Sequence, residues 1–247
     1  MSGSTTGGQL VLGGGALLEA NAADLRRQLV AAAAERGGSS SLDAVLIPTA
    51  AAFEGVDDVT ASATAELEAL GCRVDVLDGA HHSDFESVAM ERIARASVVW
   101  IADGSALHLR SVLIDTGLSG AISRSIAAGG VVIADGAGAE VLCDPMIDPR
   151  GGAFTVGLGV VRNCSVIGEL ESFPAQRRQR SIEMVGPDRW LIGIPATSAW
   201  AFQSETGWSQ LGSAPIAVLA GPGRTGPTTW DDSPEVHGPL KELVSLE

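Results

Sequence analysis

The stretch that most limits how this chain can fold is GGVVIADGAGAEVL, Gly129 to Leu142. Its apolar β-branched run (Val131, Val132, Ile133, Ala134) predicts a buried strand. Asp135, Gly136, Ala137 and Gly138 predict a tight turn, and Ala139 to Leu142 predict the start of a helix. A strand–turn–helix of this kind can hold a nucleophile exposed on a strained turn. Here the apex of the turn is Gly136, which has no side chain. The architecture of a reactive turn is present without the reactive atom.

The rest of the chain repeats the pattern. Strands are predicted at Gln9 to Leu12, Ala44 to Ile47, Arg73 to Leu77 and Val98 to Ala102. Helices are predicted at Asp24 to Glu35, Asp58 to Leu70, Phe85 to Ala96, Leu107 to Leu113 and Ile122 to Ala128. Strands separated by helices of this length need crossovers, which give an α/β fold: a mostly parallel sheet between two helical layers. After Pro145 short strands are predicted around Val166, at Trp190 to Ile194, Ala199 to Gln203 and Ile216 to Leu219. They are expected to extend the same sheet in antiparallel fashion. Residues 1–8 read as a flexible Gly/Ser/Thr tail and 9–247 as one domain, the last part a surface wrap with a terminal short helix.

The 247 residues carry a formal charge of −14, which would repel phosphates, so nucleic acid and anionic membranes are not expected partners. Cys72, Cys143 and Cys164 form no close pair, which excludes a disulfide framework or a zinc pattern and fits a reducing, cytoplasmic compartment. No signal-peptide pattern opens the chain, and no apolar run reaches the length of about 18 residues needed to span a bilayer.

Ligands of open α/β sheets bind beyond the carboxyl ends of the strands. Three of those ends carry Asp-Gly: Asp78–Gly79, Asp103–Gly104 and Asp135–Gly136. Neighbouring strands would gather these carboxylates into an acidic pocket for a cation or an amine. His81 and His82 follow Asp78, yet two loop histidines are ordinarily solvated and no metal is expected. The run Gly13–Gly14–Gly15 invites a dinucleotide reading, but G-x-G-x-x-G fails at Leu18 and no acidic residue closes the second strand, so no cofactor is expected. Cys143 reads as core. Trp190 and Trp200 read as packing, Trp100 as packed under a helix, and Trp208 and Trp230 as free to face a partner or pocket.

Five motifs occur in order: LGGGALL, VVWIADGSALHLRSVL, GGVVIADGAGAEVL, GLGVV and RWLIGIPATSA. They resemble the first strand and glycine turn, the "GGDQ" turn, the "GGTSAGA" nucleophile elbow, the "GLGLL" segment and the "GIGIDEDTA" strand of the cyanophycinase and dipeptidase E family of serine peptidases. The resemblance spans Leu10 to Leu219. It implies a three-layer, class I glutamine amidotransferase-like fold, a homodimer, and a ligand pocket at Gly14, Gly15, Asp103, Gly104, Ser105, Ala106, Asp135, Gly136, Ala137 and Glu169.

The chain departs from that family at the chemistry. The family's nucleophilic Ser falls on Gly136 and its "GGDQ" Gln on Ala106. Its His falls on Glu169 or Ser172, and its late acidic pair on Pro195–Ala196. Arg177, Arg178 and Arg180 resemble an arginine-rich helix able to hold a carboxylate in active relatives. Acyl transfer by this route needs a hydroxyl, a base and oxyanion donors, so the family's activity is expected to be lost. A glycine at the elbow relaxes its strain and is expected to leave a small void. Three readings follow. One is a non-catalytic protein that binds a small-molecule or peptide-like ligand. Another is an enzyme using Asp78, Asp103, Asp135 or Glu140 as acid or base. The third is a hydrolase using Ser105 with His108.

Overall fold

Successive residues of the predicted strands are apolar, so both faces of the sheet must be covered, as parallel strands require. The computed structural model, which describes residues 7–37 and 42–221, shows how. In chain order the first part contains β1 (Gln9–Gly13), α1 (Ala23–Gly37), β2 (Leu42–Ile47), α2 (Val56–Ala69), β3 (Cys72–Val76), α3 (Ser87–Arg95), β4 (Val98–Ile101), α4 (Ala106–Leu113), α5 (Leu118–Ala127), β5 (Val131–Ala134) and α6 (Ala137–Leu142). The second contains β6 (Cys143–Asp144), β7 (Met146–Asp148), β8 (Ala153–Thr155), β9 (Val161–Arg162), β10 (Cys164–Ile167), α7 (Ala175–Met184), β11 (Trp190–Gly193), β12 (Ala199–Gln203), β13 (Gly207–Leu211) and β14 (Ala217–Ala220).

The main sheet has the order β13-β12-β1-β5-β4-β2-β3. β1, β5, β4, β2 and β3 are parallel. Because side chains alternate across a strand, Leu10, Val45, Val99 and Val132 face one core with α3 to α6. Val11, Leu46, Trp100 and Ile133 face the other, with Leu25 and Leu29 of α1 and Leu67 of α2. These are the two layer interfaces of an α/β sandwich.

The antiparallel extension is narrower than expected. β12 pairs with β1, Gln9 opposite Gln203, and β13 pairs with β12. The segments around Val166, Ile192 and Val218 instead form a separate three-stranded sheet, β10-β11-β14. There β10 and β11 are parallel, because α7 connects them as a crossover. One side of this sheet (Val166, Ile192, Val218) joins the larger core, and the other buries Ile167, Leu191 and Leu219 in a small core of its own.

β13 has no counterpart among the predicted strands. It carries Trp208, which is not free to face a partner: it is 1% exposed and stacks on Trp200 at a centroid distance of 3.8 Å. Cys143 is buried as expected but opens β6, because α6 ends at Leu142. Residues 1–6 of the tail, and the C-terminal wrap with Trp230, lie outside the described residues. No described helix is long and apolar enough to cross a membrane.

Candidate functional site

β4 and β5 are neighbours, so Asp103 and Asp135 emerge side by side at the carboxyl edge of the sheet. Asp78 does not join them. It follows β3, the outermost strand, two places from β4, and it is exposed. Among the described residues no group of His, Cys, Asp and Glu is arranged to hold a metal ion.

The two aspartates do different work. Asp135 is 1% exposed and accepts the N–H groups of Gly15 at 2.7 Å and Leu17 at 2.9 Å. It therefore ties the glycine turn after β1 to the end of β5. The N–H groups that a dinucleotide phosphate would need are taken by a carboxylate. Burial, and then the charge of Asp103, push its pKa up to about 7.

Asp103 turns toward the elbow. Its Oδ1 accepts the Ala137 N–H at 2.7 Å. Gly136 has φ 45° and ψ −107°, a backbone conformation that L side chains rarely adopt. Glycine adopts this conformation at little steric cost, so the shape of the turn is kept without strain at its apex. The expected void is absent: a Cβ on Gly136 would lie 2.6 Å from Asp103 Oδ2 and closer still to Oδ1. The Asp103 carboxylate fills the volume that an elbow side chain would occupy. Burial pushes its pKa up to about 6 against the pull of the Ala137 and Gly104 N–H groups.

Glu140, on the first turn of α6, reaches the Gly168 N–H at 3.3 Å, and burial raises its pKa to about 8. Glu169 follows Gly168 at φ 40°, and its N–H donates to the Gly14 carbonyl at 2.6 Å. Gly15 has φ 118°, a backbone conformation that L side chains rarely adopt. A Cβ there would meet Asp103 Oδ2 at 2.9 Å and Glu169 Cγ at 3.0 Å. That glycine lets the two acids approach one another.

These groups floor a cleft of about 560 Å³. Of the expected pocket residues, Asp103, Gly104, Ser105, Ala106, Gly136, Ala137 and Glu169 line it, while Gly14, Gly15 and Asp135 do not. Glu140 also lines it, as does Ser172, whose Oγ donates to Glu169 Oε2 at 3.3 Å. Arg177 also lines it, its Nη1 donating to the Pro149 carbonyl at 2.8 Å. Glu54 and Arg150 were not legible as site residues. Glu54 follows the short helical turn after β2, so the rule that ligands bind beyond strand ends would have found it. Arg150 sits between β7 and β8, and nothing local marks it.

Ser105 is the N-cap of α4, its Oγ accepting the His108 N–H at 3.4 Å. The His108 ring packs edge-on against Phe53, with centroids 5.1 Å apart. The pairing of Ser105 is with the backbone of His108, and the serine–imidazole dyad read from the sequence is not formed.

Known proteins agree with this architecture. The chain is 28% identical over 194 residues to Peptidase E of Citrobacter koseri, covering 74% of this chain and 78% of that protein. It is 27% identical over the same length to Peptidase E of Escherichia coli, with the same coverage. The crystal structure of a peptidase from an acI-B1 Actinobacterium superposes with a TM-score of 0.75 at 22% identity, covering 90% of this chain and 94% of that one. A putative Peptidase E from Listeria monocytogenes gives 0.59 at 18% identity, covering 83% and 98%. These two structures share the fold. A family model described as Peptidase family S51 matches residues 10–151, which span β1 to the loop after β7 and include the whole elbow. The chain belongs to peptidase family S51.

Proposed function

We propose that this protein is a non-hydrolytic member of its family whose cleft binds a small amino-acid- or peptide-like ligand. The observation that carries the reading is the pairing of Gly136 with Asp103. The elbow offers no hydroxyl, and a carboxylate stands in the volume where one would be. Among the described residues no imidazole lines the cleft; Glu169 and Ser172, one or the other of which the resemblance sets at the family's histidine position, both line it. The cleft lining also carries both signs of charge, with the acids Glu54, Asp103 and Glu169 and the cations Arg177 and Arg150, the last paired with Asp148. A ligand carrying both an ammonium and a carboxylate matches that layout, since each charge finds an opposite one in a partly desolvated site.

The test combines two measurements. Asp-containing dipeptides and β-Asp-Arg should show no turnover, and steady hydrolysis would refute the proposal. Arginine, lysine and Asp-Arg should raise the melting temperature, as ligands of the folded state do, whereas succinate should not. No shift with any of them removes the ligand-binding half of the reading.

One observation favours a second reading. Asp103 and Glu140 have pKa values on either side of neutral, at about 6 and about 8, which suits acid–base catalysis in the same cleft. Asp78 drops out of that reading because it is exposed at the sheet edge, and Asp135 because its carboxylate is committed to two N–H groups. Loss of turnover in both Asp103→Asn and Glu140→Gln, on a substrate found by screening, would favour the enzyme. We also propose a cytoplasmic homodimer, checked by cell fractionation and light scattering.

A further inference from the structure

The elbow is closed in from several directions. The Gly136 N–H donates to the Gly13 carbonyl at 3.1 Å. Gly168 packs so closely that a Cβ on it would lie 3.3 Å from Gly136 Cα. Asp103 occupies the remaining side, where a side chain at position 136 would project. Its Oδ1 also accepts the N–H of Ala137, the residue that follows the apex. In strand–turn–helix hydrolases that N–H is one of the two donors to the oxyanion.

We propose that the Asp103 side chain is a built-in occupant of the elbow. It fills the space of the missing nucleophile and takes the donor that a substrate carbonyl would need. The cleft is therefore shut to acyl chemistry twice. Removing the hydroxyl is one closure, and inserting a carboxylate is the other. A serine restored at position 136 alone meets Asp103 before it meets any substrate. The carboxylate also inverts what the elbow offers a ligand. A hydrolase elbow presents donors to a carbonyl oxygen, whereas this one presents an acceptor, which selects ammonium, guanidinium or hydroxyl groups. Gly15 lies against the same carboxylate, where a Cβ would come within 2.9 Å of Asp103 Oδ2.

This inference goes beyond the ligand-binding reading and is tested without a ligand. Gly136→Cys is made in wild type and in Asp103→Ala, and stability is measured by urea unfolding. The backbone strain at φ 45° is common to both backgrounds and cancels in the double-mutant cycle, leaving the steric and hydrogen-bond coupling. Gly136→Cys should be much more destabilising in wild type than in the Asp103→Ala background. Alkylation of the new thiol by iodoacetamide should be about tenfold faster in the double variant, the change in thiolate fraction for one pKa unit when a neighbouring carboxylate is removed. Cys72, Cys143 and Cys164 are buried and give a low background. Should Asp103→Ala not fold, Asp103→Ser shortens the side chain and replaces it in the cycle. Equal penalties for Gly136→Cys in both backgrounds overturn the proposal. The ligand-binding reading would survive that result, because it is read from melting shifts of the wild-type protein.

Discussion

The carboxylate of Asp135 accepts the Leu17 N–H at 2.9 Å across 118 residues of sequence. With the Gly15 N–H on its other oxygen, it locks the turn after β1 onto the strand that carries the elbow. Asp135→Ala leaves two N–H groups without this partner in a buried site. The expected cost is about 2–4 kcal/mol, the range for a pair of unsatisfied buried donors, measured by chemical denaturation. A change under about 0.5 kcal/mol, typical of ordinary surface substitutions, would show that the lock contributes nothing.

Asp103, Asp135 and Glu140 all hold protons more tightly in the fold than in the unfolded chain, with pKa values of about 6, about 7 and about 8. The sign is therefore opposite to that of a salt-bridged acid. The unfolded chain releases these protons near pH 4, so the stability they contribute is full below about pH 4 and is lost as pH rises toward about 8. Glu140→Gln removes the carboxyl with the highest of these values and keeps an acceptor for the Gly168 N–H. Its stability should fall less between pH 5 and 8 than that of wild type. At pH 9 it should be the more stable protein by at least about 1 kcal/mol, the equivalent of roughly one pKa unit. Parallel stability curves for the two proteins would contradict the burial assigned to Glu140.

Trp208 on β13 and Trp200 on β12 stack with their planes 18° apart, and Phe202 tilts against Trp208 at 5.3 Å. This cluster packs β13 against β12 within the outer hairpin. Trp208→Ala should cost about 3–5 kcal/mol, as truncations of large buried aromatics do. It should also change the tryptophan fluorescence, since a stacked neighbour is lost. Trp208→Phe should recover much of the stability.

Ser105 caps α4 through its hydroxyl, while the His108 ring lies against Phe53. A fluorophosphonate probe should leave Ser105 unlabelled, because among the described residues no base is hydrogen-bonded to its hydroxyl. Ser105→Ala should instead cost about 1 kcal/mol through loss of the cap. Rapid labelling at Ser105, abolished by His108→Ala, would reverse this assignment.

Much of the fold was determined locally, and those parts were legible. Val131 to Ala134 and Ala199 to Gln203 match strands β5 and β12 residue for residue, because β-branched and aromatic runs bounded by turn residues fix a period. The positive φ of Gly136 follows from a tight turn between a buried strand and a helix. Strand β13, GWSQL, was not legible, since its burial depends on Trp200 beneath it. The pairing of β10, β11 and β14 was equally hidden, because period alone does not say which edge a strand joins.

At the site, the sequence by itself determined that position 136 has no side chain and that Asp103 and Asp135 end their strands. The resemblance adds that Asp103 stands where the "GGDQ" turn has its first glycine, so this position carries a side chain while the adjoining elbow apex lacks one. Only the tertiary structure decided what the acids do. Strand order put Asp78 at the sheet edge and Asp103 beside the elbow. Packing bound Asp135 to backbone donors and set Arg177 of α7 in the lining of the cleft. Charge and hydrogen-bonding capacity are properties of a residue, but whether a carboxylate binds, braces or blocks depends on which atoms long-range packing sets within about 3 Å of it.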